Sequence, residues 1–265
     1  MKTRVLFVSV FVIVATVWFL SSVGDAAKVT YEEIAVADGG AITGRVVWKG
    51  PSVSVPPMVI NKNVDSCDKS GSGIRESVRL LVSKSGGTAN AVVYLESIAK
   101  GKAMSKEALA IDQEGCRYNP HITIAPRKAK VTLKSSDDIL HNIHMFGAAN
   151  YNIPFPDKNS VLKTFRKAGL VRLQCDAGHG WMSAYVHVVN HPYYAVTDAD
   201  GNFKLTDIPP GEYTLRMWHE NWVVTNEVKK DGEVVGYEFG ESIEKSQKVT
   251  VSAGAETEAQ FTISK

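Results

Sequence analysis

From residue 41 to residue 263 the chain is a succession of short apolar segments, each closed off by Gly, Pro, Asp or Asn. Residues 41–48, 79–82, 91–95, 121–124, 130–133, 162–165, 170–174, 184–189, 203–205, 213–218, 248–251 and 258–263 are rich in Val, Ile and aromatics. Side chains of that type suit a pleated, half-buried surface, and the intervening turn residues break any longer helix. Only residues 105–110 have the composition of a helical turn or two. Many short strands joined by turns predict an all-β chain of sandwich type. With 265 residues and 44% apolar content, the chain is long enough for one large or two modest cores.

The N-terminus carries Lys2 and Arg4, an apolar run over 5–20 and small residues up to Ala26 and Ala27. That layout predicts an export signal spanning 1–27, with an uncleaved membrane tether as the alternative. Loss of Lys2, Arg4 and Asp25 would take the net charge from +2 to about +1. No basic stripe stands out, which argues against a nucleic-acid partner. Ser-His-Asp spacing, a P-loop and a dinucleotide glycine signature are all missing from the sequence, so no enzyme is expected.

Export to a periplasmic or extracellular, oxidising compartment divides three cysteines into a pair plus one. Cys67 and Cys116 lie in polar, Gly-containing stretches with no His or Met at ligand spacing, and a structural disulfide is their simplest fate. Cys175 is the odd one, and Cys175-Asp-Ala-Gly-His179-Gly-Trp-Met182 places a thiolate, an imidazole and a thioether within eight residues. Two His, one Cys and a weak axial Met form a copper electron-transfer set. The missing imidazole has two candidates, His141 and His144. Three apart in an extended chain, they face opposite ways, and His141 is preferred. His121, His187, His191 and His219 are read as structural. A metal-free chain with an ordinary buried Cys175 is the competing reading.

Gly40–Trp48 with Asn90–Leu95, then Val196–Leu205, Ile208–Leu215 and 248–263, resembles the carboxypeptidase regulatory-like (transthyretin-like) domain in two separated halves. Between them, His121-Ile-Thr-Ile, Val131–Asp138 and His141-Asn142, followed by the Cys175–Met182 loop, resembles a cupredoxin. The resemblances imply a cupredoxin Greek-key sandwich (111–191) inserted into a transthyretin-like sandwich (38–110 and 192–265), with a Cys67–Cys116 bridge tying insert to host. They imply one copper per chain, held by His141, Cys175, His179 and Met182, with the Asn142 side chain bracing the Cys-bearing loop. The Cys-x3-His-x2-Met spacing is similar to half of the binuclear copper loop of cytochrome oxidase subunit II. The second Cys of that loop is Val171 here, hence a single ion. The family places its loop imidazole nearest the surface, so His179 and Trp181 would mark the docking face. The implied function is one-electron transfer to a redox partner protein of the periplasm or envelope. Copper storage, delivery or sensing, and a metal-free envelope interaction module, stand as alternatives.

Overall fold

A computed structural model describes residues 30–51 and 55–264. The expected export signal over 1–27 lies outside the described residues. Among the described residues the regular secondary structure is almost entirely strand, and one helical turn, Val64–Cys67, is the only α-helix. The turn expected over 105–110 is not helical. Residues 103–108 are irregular, and Leu109–Gln113 pairs in parallel with Lys130–Ser135.

Two sandwiches account for most of the strands. The first stacks a four-stranded sheet, in the order Asn159–Thr164, Lys130–Ser135, Leu109–Gln113, Tyr118–Asn119, on a five-stranded one. The five run in the order Asn152–Phe155, His141–Gly147, Gly169–Gln174, Ser183–Val189, Ile122–Pro126. Ile111, Val131, Leu133, Ile143, Met145, Val171, Leu173 and Val186 fill the space between them. Alternation explains who goes inside: in Lys130–Ser135 every second residue is buried, as one core-facing side of a pleated strand requires.

The second sandwich has one sheet ordered Tyr194–Val196, Val92–Leu95, Gly211–His219, Ile243–Val251. Its other sheet is ordered Asn202–Ile208, Gly40–Trp48, Glu256–Ile263. Ile42, Val93, Leu95, Phe203, Leu215, Met217, Phe261 and Ile263 form its core. Its strands come from both ends of the chain, so the first sandwich is inserted into the second. The expected boundary at 110 does not coincide with the packing, because Met58, Ile60 and Cys67 sit in the core of the insert.

Ser183–Val189 explains why the two bodies stay together. Six consecutive residues of this strand are buried, the signature of a strand covered on both faces. Ala184, Val186 and Val188 face the insert's core, while Tyr185 and His187 pack on Trp218 of the host, at 5.1 and 4.7 Å between ring centroids. Beside them, Glu220 pairs with both Arg79 and His121, with Arg79 2% and Glu220 1% exposed.

One further element was not expected. Val224–Lys230 and Glu233–Phe239 form a separate two-stranded ribbon. Its turn is Asp231-Gly232, with φ of 52° and 86°, the left-handed pair that a type I′ hairpin demands. Tyr237 and Phe239 lay this host-derived ribbon against the core of the insert.

Candidate metal centre

Gly169–Gln174 and Ser183–Val189 are antiparallel neighbours, and the Gln174–Ser183 pair closes the loop that carries Cys175 to Met182. Val171, Leu173 and Cys175 share the inward face and are 0, 0 and 1% exposed. On the other side of Gly169–Gln174, His141–Gly147 pairs with it, which brings His141 beside the loop. His141, Cys175 and His179 offer ligand atoms that all lie within 4.8 Å of one another. The two Nδ1 atoms are 3.0 Å apart, and Cys175 Sγ lies 3.6 Å from His179 Nδ1.

The outer ring nitrogens fix the tautomers. His141 Nε2 lies 2.9 Å from Asp137 Oδ2, and a carboxylate can only accept, so Nε2 carries the proton. His179 Nε2 lies 2.9 Å from Asn63 Oδ1, again an acceptor. The other His179 tautomer would set a bare Nε2 against that carbonyl oxygen. Both Nδ1 lone pairs therefore point at each other in a site where both imidazoles are fully buried; the Cys175 thiol can donate weakly to His179 Nδ1, and His141 Nδ1 has no donor among the described residues. A buried polar group without a partner costs about 1–3 kcal/mol, and facing lone pairs add repulsion to that. A cation between them removes the conflict.

Charge states agree with this geometry. Burial, then the neighbouring His141 and Lys62, pushes the His179 imidazolium down to about 4. Burial also lowers His141, partly opposed by the Asp137 carboxylate. Both rings are thus neutral donors at neutral pH. Burial raises the Cys175 thiol, while the N–H groups of Asn142, Ala177 and His179 aimed at the sulfur favour its thiolate. A bound cation would complete the deprotonation, since metal binding and thiol ionisation are coupled. Two neutral imidazoles and a thiolate suit a soft or borderline transition metal rather than magnesium or calcium.

Of the remaining expected residues, Met182 shares the loop of Cys175 and His179, while Asn142 and His144 share the strand of His141. Met182 is 2% exposed in the same core, and its N–H closes a turn on the His179 carbonyl at 2.8 Å. Asn142 Oδ1 accepts the Asp176 N–H at 2.6 Å, and Asn142 Nδ2 donates to Asn152 Oδ1. His144 is outside the trio: its Nδ1 meets Asp176 Oδ2 at 2.5 Å on the partly exposed face. Cys67 and Cys116 are joined as a disulfide, with 5.4 Å between Cα atoms, and Cys175 is free and buried. His121, His187, His191 and His219 belong to no metal-competent group among the described residues.

His179 and Trp181 do not form a surface. They are 0 and 6% exposed, and their rings pack at 5.2 Å. Two glycines are the reason. A Cβ on Gly178, at φ +94°, would meet Lys62, and one on Gly180 would lie 2.5 Å from the Val235 carbonyl oxygen. Without side chains there, residues 61–63 and the 224–239 ribbon close over the loop, and Asn61 Nδ2 ties them together by donating to Val234 O at 2.8 Å. Asn63 and Asp137 are the site residues that sequence reasoning missed. Asp137 had a signal, being an acid four residues before His141. Asn63 had none, lying 116 residues before His179.

No protein-family model matches the chain, and no curated protein matches its sequence. Among solved structures, a purple cupredoxin from Nitrosopumilus maritimus is similar over 31% of this chain and 99% of its own, at 20% identity and a TM-score of 0.28. The Cu(I) form of a methionine-to-alanine mutant of amicyanin aligns over 38% of this chain and 99% of its own, at 21% identity and a TM-score of 0.29. The copper-containing nitrite reductase of Thermus scotoductus aligns over 36% of this chain and 25% of its own, at 16% identity and a TM-score of 0.30. The chemistry of the site rests on its own donors.

Proposed function

We propose that this chain is an exported copper protein that carries one electron at a time, with His141 Nδ1, His179 Nδ1 and the Cys175 thiolate as the strong donors and the Met182 thioether as the weak fourth. The observation that carries the reading is the pair of lone pairs facing each other at 3.0 Å beside a buried thiol, each imidazole locked by an acceptor behind it. Bound copper supplies reversible exchange between its +1 and +2 states, which suits a mixed imidazole and sulfur set.

The protein's part is to hold the donors still. Asp137 and Asn63 keep both imidazoles in the metal-ready tautomer. Asn142 anchors the residue after Cys175, and three backbone N–H groups stabilise the thiolate. Four protein donors leave no position for a substrate, so catalysis at the ion is not part of the proposal. A partner that exchanges electrons with it would be another redox protein of the envelope. The Cys67–Cys116 disulfide fits an oxidising compartment.

One observation favours storage or delivery instead: all four donors are 2% exposed or less. The test separates the two. Copper(II) added to the mature chain should bind one to one with an intense visible thiolate-to-copper band. Cys175→Ser should abolish the band, and His144→Ala should leave it. A reversible voltammetric wave supports the carrier. Binding with sluggish, irreversible cycling supports storage or delivery, and no band at all refutes copper at this site.

A further inference from the structure

The two acceptors behind the imidazoles sit on the two arms of one disulfide. Asn63 caps the turn that ends at Cys67, and the N–H groups of Ser66 and Cys67 donate to its carbonyl at 3.0 and 2.9 Å. Asp137 accepts the N–H of Cys116 at 2.7 Å and of Gly115 at 2.8 Å. A closed ring results: His179 to Asn63, Asn63 to Cys67, the disulfide to Cys116, Cys116 to Asp137, Asp137 to His141. Trp181, packed on His179, adds a cross-tie by donating from Nε1 to the Cys116 carbonyl at 3.1 Å. Arg75 adds another, donating to the carbonyls of Cys67 and Gly115.

We propose that Asn63 is the positioning residue for His179 and that the Cys67–Cys116 disulfide holds it there, so that the disulfide belongs to the metal site although its sulfurs bind no ion. The proposal rests on the copper reading only for its metal readout. Asn63 is suited to both halves of the task. Its backbone is left-handed, φ 49° and ψ 43°, which Asn tolerates better than most residues, and its side chain offers the acceptor. Partners behind metal-binding imidazoles set ring orientation and basicity, and losing one costs about 10–100-fold in metal affinity.

Three variants test it: Asn63→Gly keeps the backbone and removes the acceptor, Asn63→Asp keeps the acceptor, and Cys67→Ser/Cys116→Ser removes the tether. In the copper-free chain, side-chain ¹⁵N spectra read the tautomers directly. Wild type and Asn63→Asp should hold the His179 proton on Nε2. Asn63→Gly and the double variant should show it shared between the nitrogens, and both should bind copper about 10–100-fold more weakly. Asn63→Asp should bind copper(II) at least as tightly as wild type and lower the reduction potential, because an added negative charge favours the more oxidised ion. A wild-type tautomer pattern in Asn63→Gly overturns the positioning role, and an unchanged pattern with unchanged affinity in the double variant overturns the role of the disulfide. If the wild type binds no copper, the copper reading fails, while the ¹⁵N pattern still decides the positioning role.

Discussion

Asp137 separates charge from geometry at this site. Its Oδ1 accepts from Gly115 and its Oδ2 from both Cys116 and His141, at 2.8, 2.7 and 2.9 Å. In Asp137→Asn a single oxygen remains. Placed at the Oδ2 position, it still serves Cys116 and His141, and the new amide group faces only the Gly115 N–H. One stranded donor costs about 1–3 kcal/mol, while the His141 proton stays on Nε2 and copper affinity should stay within a few-fold. Asp137→Ala strands all three donors, and His141 is free to move its proton to the nitrogen that faces the metal. Stability should fall by about 2–5 kcal/mol, allowing water to reach some of the freed groups, and copper affinity by about 10–100-fold. Urea unfolding and competition with a copper chelator measure the two. pH adds an internal check. The backbone N–H groups of Cys116 and Gly115 and the His141 ring together outweigh burial and hold the Asp137 carboxyl below its ordinary 3.8. A carboxyl lowered in the fold stabilises above its unfolded value and loses that stabilisation as pH falls through the folded one. The gap between wild type and Asp137→Ala should therefore be full at pH 7 and shrink below about pH 4. Equal copper affinities in the Asn and Ala variants, both folded, would refute the tautomer argument.

His187 and Arg79 give independent tests at the junction of the sandwiches. Burial pushes His187 down to about 4, and its Nε2 is buried without a partner. A His lowered in the fold destabilises as pH falls from 6.5, because the unfolded chain takes up the proton first. His187→Phe should thus gain on wild type by about 3 kcal/mol between pH 6.5 and pH 4, at about 1.4 kcal/mol per pH unit; a flat difference in urea titrations sinks the assignment. Arg79→Met leaves the buried Glu220 with His121 alone and should cost about 3–5 kcal/mol. Adding Glu220→Gln should recover most of that, and a double variant no better than the single contradicts the pairing.

The parts of the fold legible in the sequence are those whose signal is local. Alternating apolar residues marked Lys130–Ser135 and Gly169–Gln174, and the Cys175–Met182 spacing gathered three donor types in one loop. The parity of an extended chain separated His141 from His144, and the structure puts His141 at the trio and His144 on Asp176. The ribbon had a local signal as well, Asp231-Gly232, but its flanks Lys229-Lys230 and Glu233 hid the apolar alternation beyond them. The composition of residues 105–110 suits a helical turn, but pairing with Lys130–Ser135 overrides it at the end of the stretch. Asn63 is a different case. Its role comes from a backbone turn that a distant disulfide presses against the ligand loop, and no window of sequence around either residue contains that information.

The ligand loop belongs to the insert, yet what surrounds it comes from three separate stretches: residues 61–63, the Cys116 and Asp137 corner, and the host-derived 224–239 ribbon. The strand leaving the loop, Ser183–Val189, is covered on its outer face by Trp218 of the host. A fragment containing only residues 111–191 would keep His141, Cys175, His179 and Met182 but lose Asn63, one half of the disulfide and the cover over Gly178 and Gly180. Its donors would be present and loosely held, with the His179 tautomer unfixed. The host therefore flanks the insert in the sequence and shares the site with it: the candidate donors all lie in the insert, and much of what restrains them does not.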